Sequence, residues 1–285
     1  MWKKGYLPKV SVIVANYNKG VFLSKCLDSI IYQTYPNIEI VIVDDCSIDC
    51  SKEIIIDYYQ KYPSKIFPIF NNRNLGVSKA RDKGIKAATG EFIMTLDSDD
   101  FLYNEKKIEI EMELILNSKN PYFTVAFSNI VLVNEKDKFL KIVGNPFNIK
   151  EGMIYEKLLT RSCFIPRDFI FYKPLYFEIG GYDPQIPIYE DWDLKIRIAR
   201  IAKFIFSGIL GVAYRQTNSG LSKAPKEDHI KWMKYVFEKN LSCISDLKKQ
   251  KKLRKEFYRN ISNNPIWKLY KKIRLLSSLI INLRS

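Results

Sequence analysis

Histidine is nearly missing from this sequence: His229 is the only one in 285 residues. A single imidazole argues against histidine-based zinc sites and histidine-dependent nucleophile triads, which leaves acid–base chemistry to carboxylates. Cysteine occurs five times, an odd number, and Cys46 and Cys50 form the only close pair. Their CSIDC spacing is not that of a metal site and no second pair completes one, so free thiols in a reducing cytoplasm are expected. No apolar run approaches the roughly 20 residues that a bilayer-spanning helix needs. The opening MWKKGYLPKVSVIVANYN turns from basic to apolar, but Pro8 and Lys9 interrupt it, and Asn16 and Asn18 stand where small cleavage-site residues belong. A secretory signal is therefore a poor reading. Neither GxxxxGK(S/T) nor GxGxxG occurs, so a P-loop or Rossmann dinucleotide loop is not expected, and bound phosphates would need a metal and scattered cations. No internal repeat or low-complexity segment stands out.

What is present is the composition of a globular chain, 47% hydrophobic and 27% charged, long enough for one large α/β domain or two small ones. The net charge of +15 is uneven: residues 221–285 hold 17 Lys/Arg against 5 Asp/Glu, whereas residues 1–220 hold 29 against 26. Near the end, Trp267, Tyr270, Ile273, Leu276, Ile280 and Leu283 recur at helical spacing, flanked by Lys268, Lys271, Lys272, Arg274 and Arg284. Such a basic amphipathic helix either lies in a lipid interface or packs on the body or a partner chain, and periodicity does not separate the two. No nucleic-acid module is recognisable.

VSVIVA (10–15) and IEIVIV (38–43) read as buried strands, and residues 66–70 and 91–96 as two more. Helices are expected between them: around Phe22–Ile31, over about 50–62 with Asp49 as N-cap, and over 77–88, closed by Gly90. This strand-then-helix rhythm predicts a mostly parallel sheet with helices on both faces. Polar residues gather just after the strands, as Asn16-Tyr17-Asn18, Asp44-Asp45 and Asp97-Ser98-Asp99-Asp100. Strand carboxyl ends form the binding crevice of open α/β sheets, so these segments are expected to converge. Farther on, strands are expected over 122–133, 138–143 and 203–214, a short helix over 152–160, a turn at IGGYD (179–183) and a helix over 190–202. A break near Gly220–Pro225 precedes the basic helical tail.

The chain has two D-x-D patterns. Asp191 and Asp193 fall on a helix, where residues two apart point about 200° apart and do not readily share an ion. Asp97 and Asp99 follow a strand, where irregular backbone can turn both inward. Adjacent anions repel unless a cation sits between them, and a divalent metal bound through one or two carboxylates and substrate phosphates meets that need.

VSVIVANYN, VIVDDCSID, RNLGVSKARDKGIKAATGEFIMTLDSDD and GGYDPQIPIYEDWDLKIR together resemble the family 2 glycosyltransferases of the GT-A fold. The matches run in order from residue 8 to about 222. The resemblance implies an inverting transferase that uses a nucleotide-sugar and a divalent cation, Mn²⁺ or Mg²⁺. It places Asn16 and Tyr17 at the nucleotide-binding strand end, Asp45 on the base (usually uracil) with Asp44 beside it, and Asn74, Gly76 and Arg81 along the diphosphate. Asp97 and Ser98 would lie at the ribose or metal environment, Asp99 would ligate the metal, and Asp191 would be the catalytic base. Gly180 and Gly181 would shape the acceptor loop, with Glu190, Trp192 and Arg215 in acceptor-side or supporting places. The chain departs from the family pattern where Asn is usual at Asp82. It also has Thr217 in place of the histidine of Y-R-x-H; His229, twelve residues on, could substitute for it, although a surface place is the favoured reading, and Arg215 could face the phosphates instead.

The expected organisation is thus a nucleotide-sugar-binding half (1–110), an acceptor-binding half (111–222) and a basic helical extension (223–285). Expected partners are a nucleotide-sugar donor, a glycan or lipid-linked acceptor, an anionic membrane surface met by the C-terminal helix, and a second copy of the chain. Richness in Lys, Ile and Asn points to an AT-rich bacterial source, and a cytoplasmic enzyme of surface-glycan assembly, peripheral on the inner face of the cell membrane, fits the basic tail. Two rivals are weighed. A sugar nucleotidyltransferase would carry a Gly-rich basic loop after the first strand, where this chain has NYNKG. A non-enzymatic membrane-surface protein would have lost the acidic strand ends, which are present.

Overall fold

The computed structural model describes residues 6–143, 150–217 and 224–262; the Trp267–Leu283 stripe and Gly220 lie outside them. The first half runs β1 (Val10–Asn16), α1 (Gly20–Ile31), β2 (Ile38–Asp44), α2 (Ser51–Lys61), β3 (Ile66–Phe70), α3 (Val77–Ala87) and β4 (Phe92–Asp97). Then come β5 (Phe101–Leu102), α4 (Lys107–Leu116), β6 (Thr124–Val133), β7 (Phe139–Val143), α5 (Tyr155–Leu159), β8 (Phe171–Tyr172) and α6 (Lys173–Glu178). The rest comprises α7 (Glu190–Ile198), β9 (Lys203–Arg215), α8 (Lys226–Leu241) and α9 (Leu247–Ser262).

The main sheet has the order β3-β2-β1-β4-β8, parallel except for β8. Its inner strands β1, β2 and β4 are apolar and buried on both sides, as parallel strands under two helix layers must be, whereas the edge strand β3 is partly exposed. Alternation assigns the faces: Val10, Val12 and Val14 pack with Leu23 and Leu27 of α1, while Ile13 and Val41 pack with Ile85 of α3. Asn16 pairs with Asp44 and Ala15 with Asp97. That register brings the polar ends of β1, β2 and β4 level along one edge.

Two local expectations need correction. Gly90 does not close α3, which ends at Ala87. It is glycine because the chain passes against β1 there: a Cβ would lie 2.4 Å from Ser11 Oγ and 2.8 Å from the Lys9 carbonyl. The N-cap of α2 is Cys50, not Asp49. Asp49 serves both helices instead, because Oδ1 accepts the Ser51 N–H (3.0 Å) and Oδ2 the Gly20 N–H (2.8 Å).

A second sheet, ordered β5-β9-β6-β7, is absent from the sequence-level picture, although three of its strands were expected. The long strand β9 runs parallel to β6, and β5 pairs with β9 directly after the acidic segment 97–100. α8 and α9 join the core through an apolar stripe. Phe237 stacks on Phe257 (3.9 Å between centroids) and Phe257 faces Trp192 (6.3 Å). Leu253, Phe257 and Ile261 of α9 point inward, while Lys248, Lys249, Lys251, Lys252 and Lys255 stay exposed. None of the described helices is long and apolar enough to cross a membrane, and the cysteines are free thiols.

Candidate active site

Two adjoining hollows lie along the carboxyl edge of the main sheet. One, about 500 Å³, is lined by Asn16, Tyr17, Asp45, Asn74, Gly76 and Pro184 among others. The second, about 640 Å³, contains Arg81, Asp97, Ser98, Asp99, Asp100, Arg167, Glu190, Asp191, Arg215, Thr217 and His229. Ala15, Tyr17 and Val77 belong to both walls, so the two hollows are neighbours, with Asp45 on the first and Asp97, Asp99 and Asp191 on the second.

In the first hollow, backbone geometry is fixed by two buried acids. Asp44 accepts from Asn16 Nδ2 (2.8 Å) and the Ser47 N–H (3.0 Å), locking the turn after β2. Asp45 gathers the facing loop, accepting from Asn71 Nδ2 (2.8 Å), the Leu75 N–H (2.9 Å) and the Gly76 N–H (2.8 Å). Gly76 has φ +88, a left-handed conformation that glycine adopts without cost. The Asn74 carboxamide oxygen also accepts from the Gly76 N–H. The Leu75 N–H also reaches Oδ2 (3.0 Å), so these contacts occupy the roughly four acceptor sites that a carboxylate offers. Asn16 Oδ1 is buried with no hydrogen-bond partner among the described residues.

Charge is concentrated in the second hollow. Asp97, Asp99 and Asp100 each present an oxygen, all within 4.8 Å of one another. Asp97, at the end of β4, pairs with Arg81 and Arg167. Burial would raise its carboxyl, but Arg167 and Arg81 hold it below the usual range. Burial pushes Asp100 up to about 8, with Asp99 and Asp97 adding to the rise against Arg167. Asp99, about as open as Asp97, pairs with Lys19 at 3.0 Å. Arg215 supports this segment from below: its backbone N–H donates to Asp100 (2.8 Å), and its guanidinium binds the Asp99 carbonyl and Asp137 over the Phe22 ring. It lines the hollow with its donors already engaged.

Helix α7 supplies the opposite wall. Glu190 pairs with Arg81 at 2.7 Å, and burial raises its carboxyl. Asp191 pairs with Lys195, one turn on, at 2.8 Å. Burial works to raise Asp191, but the Lys195 ammonium, helped by Arg167 and Arg81, holds it far below the ordinary carboxylate range. Asp193 turns away from the hollow, wholly buried among Arg197, Lys239 and Asn240, as the helical angle requires. Trp192 is a core residue whose indole N–H donates to the Leu158 carbonyl (2.9 Å); it lines neither hollow. Gly181 has φ +68, and a Cβ there would lie 2.9 Å from the Tyr176 ring. Asp82, where the family pattern has Asn, accepts from the Tyr176 hydroxyl and Lys86.

His229 is the clear correction: it is 7% exposed rather than on the surface, and lines the hollow with Thr217. The first turn of α8 packs against α7, bringing Nδ1 within 3.2 Å of the Tyr189 hydroxyl. Sequence reasoning missed Lys19, Arg167, Tyr189 and Lys195. Of these, only Lys195 left a signal, its i+4 spacing from Asp191.

A profile described as glycosyl transferase family 2 matches residues 11–173. An uncharacterized glycosyltransferase of Rickettsia felis is 29% identical over 247 residues, covering 82% of this chain and 39% of the relative. The chain spans 34–39% of the length of the curated relatives that head the comparison. Among solved structures, S. aureus TarS in complex with UDP-GlcNAc superposes with a TM-score of 0.70 at 19% identity, over 90% of this chain and 73% of that one. The mannosyltransferase PcManGT from Pyrobaculum calidifontis, in complex with GDP-Man and Mn²⁺, gives 0.66 at 18%, over 92% and 73%. These likenesses establish a shared GT-A-type fold. The profile match, which spans more than half of the sequence, shows that the chain belongs to glycosyl transferase family 2.

Proposed function

We propose that the protein is an inverting, divalent-cation-dependent glycosyltransferase. It moves a sugar from a nucleotide-sugar, a UDP-sugar by preference, to a hydroxyl of a glycan or lipid-linked acceptor in bacterial surface polysaccharide synthesis. The observation that carries this is that the two hollows share a wall of Ala15, Tyr17 and Val77, one holding Asp45 and the other the 97–100 acids and Asp191. The nucleoside occupies the first, bordered by Asn16, Asp45 and the Tyr17 ring. The diphosphate and sugar extend into the second.

The all-oxygen set of Asp97, Asp99 and Asp100 suits Mg²⁺ or Mn²⁺. Bound chiefly at Asp99, such an ion supplies neutralisation of the charge that develops on the leaving diphosphate. The remaining chemistry belongs to the chain. Asp191, ionised at neutral pH by Lys195, accepts the acceptor hydroxyl proton. The freed oxygen bonds to the anomeric carbon as the bond to the nucleotide phosphate breaks on the opposite face. Lys19 and Arg167 place fixed positive charge beside the leaving group. No covalent intermediate on the chain is required. The exposed lysines of α9 support docking on an anionic inner membrane face by electrostatics, since its apolar side is committed to the core.

A screen for UDP release across nucleotide-sugars, run on the wild type and on Asp191→Asn, tests the assignment. The variant should bind UDP normally and lose about a hundredfold or more in turnover, as removal of a general base does. Near-normal turnover would remove Asp191 from the chemistry.

A further inference from the structure

Arg161 is unlike the other arginines around the site. Arg81, Arg167, Arg197 and Arg215 each pair with a carboxylate. The Arg161 guanidinium has no ion pair or hydrogen-bond partner among the described residues. It lies on two rings instead, 4.9 Å from the Trp192 centroid and 5.3 Å from that of Tyr189. Rings that back a guanidinium leave its edge donors free, and that edge matches a carboxylate or phosphate in two-point contact. Arg161 is half-buried; burial lowers its pKa, partly offset by Tyr189 and Asp191, so it lies within electrostatic reach of Asp191.

The backbone around it is held in uncommon conformations. Arg161 has φ +55 and Tyr189 φ +73, and left-handed non-glycine residues cost energy that the surroundings must offset. Tyr189 lines the catalytic hollow directly before Glu190 and Asp191. The Arg161 loop is fastened to the base, because Lys195 Nζ binds both Asp191 (2.8 Å) and the Ile165 carbonyl (2.8 Å). Phe164 on that loop is 52% exposed, 5.9 Å from Lys195 Nζ. An open aromatic face and an unclaimed guanidinium thus stand on the loop that Lys195 ties to Asp191.

We propose that Arg161, with Phe164 and Tyr189, forms an acceptor subsite that binds the carboxylate or phosphate of an acidic acceptor next to Asp191. This rests on Asp191 being the base. The acceptor sugar packs on Phe164, its anion meets the Arg161 edge, and its hydroxyl is delivered to Asp191. Acceptors without a negative group lose the pairing.

The test uses the full chain saturated with UDP and Mn²⁺, and three probes below their micelle concentrations: octyl glucuronide, octyl phosphate and octyl glucoside. Binding is followed by saturation-transfer NMR. At least one anionic probe should bind about tenfold or more tightly than octyl glucoside, as a charge-assisted pair allows. Arg161→Met should abolish that preference, and Arg161→Lys, which keeps charge but not the fork, should retain part of it. A stronger glucuronide identifies the anion as a sugar carboxylate; a stronger octyl phosphate identifies it as a phosphate. No anion preference in the wild type, or an undiminished one in Arg161→Met, overturns the proposal. If Arg161→Met does not fold, Arg161→Lys decides by the same comparison: full retention overturns, partial loss supports. UDP–Mn²⁺ titration should be unchanged in both variants. Its absence in the wild type would instead count against the donor reading.

Discussion

Replacing Lys195 by Met isolates what sets the protonation of Asp191. The ammonium is 5% exposed and 2.8 Å from an Asp191 oxygen, while the Asp191 side chain is 28% exposed. An opposite charge at this range lowers a carboxyl by about 1–3 units, or roughly 1.4–4 kcal/mol, discounted somewhat because one side of the pair meets solvent. Arg167 and Arg81 remain in the variant and burial pulls the other way, so Asp191 should return toward or above the ordinary carboxylate range. In the wild type the base is ionised well below neutral pH, and kcat/KM should show no acidic limb from it between about pH 5 and 8. In Lys195→Met that limb should climb by about 1–3 units. The assay is UDP release against pH, with circular dichroism at each pH to confirm folding. Superimposable profiles would refute the reasoning, either because Asp191 is not the base or because the pair is not made in solution.

Glu39→Gln should cost about 1–3 kcal/mol, because the carboxylate accepts from Ser11, from the Thr89 hydroxyl and N–H and from the Gly90 N–H, and an amide leaves buried donors unmatched. Burial raises Glu39, but those donors win and hold its folded pKa down. The stability it contributes is therefore complete above the unfolded value near 4.3 and lost as pH falls through the folded one. Urea midpoints between pH 3 and 6 should diverge at the top of that window and converge at the bottom. Phe257→Ala should cost about 3–5 kcal/mol, since it empties the stack between Phe237 and Trp192; a loss under about 1 kcal/mol would mean that α9 is not seated on the core.

The first half of the fold was legible because its signals are local. β-branched runs such as VSVIVA cannot stay in water, and their spacing leaves room only for crossover helices. Asp44-Asp45 and Asp97–Asp100 stand directly after such runs, so their convergence followed from the parallel sheet alone. The second sheet was not legible because β6 and β9 pair across some seventy intervening positions, and β5 and β8 are two residues each. Arg167 reaches Asp97 from an irregular segment with no periodicity to flag it. The tail from 223 was expected to be helical, but its apolar stripe was read only over Trp267–Leu283, so nothing named Phe237 and Trp192 as the surface that α9 covers.

The ionic bookkeeping of the second hollow constrains how donor and metal arrive. Asp97, Asp99, Asp100, Glu190 and Asp191 stand against Lys19, Arg81, Arg167, Lys195 and Arg215. The walls are therefore close to neutral, and a partly protonated Asp100 tips them slightly positive. A divalent cation alone would add uncompensated charge and must displace Lys19 from Asp99. A nucleoside diphosphate alone would meet the carboxylates unshielded. Together the two nearly cancel, and the displaced Lys19 ammonium is freed to face a phosphate oxygen. Binding should accordingly be cooperative, and linkage makes the coupling reciprocal. Calorimetric titration should show Mn²⁺ tightening UDP and UDP tightening Mn²⁺ by the same factor. Asp99→Ala should remove most of that factor while leaving UDP binding without metal unchanged or slightly stronger, because a carboxylate is lost and Lys19 is released. Equal coupling in Asp99→Ala and wild type would show that Asp99 does not hold the ion, and would move the ligand role to Asp97 or Asp100.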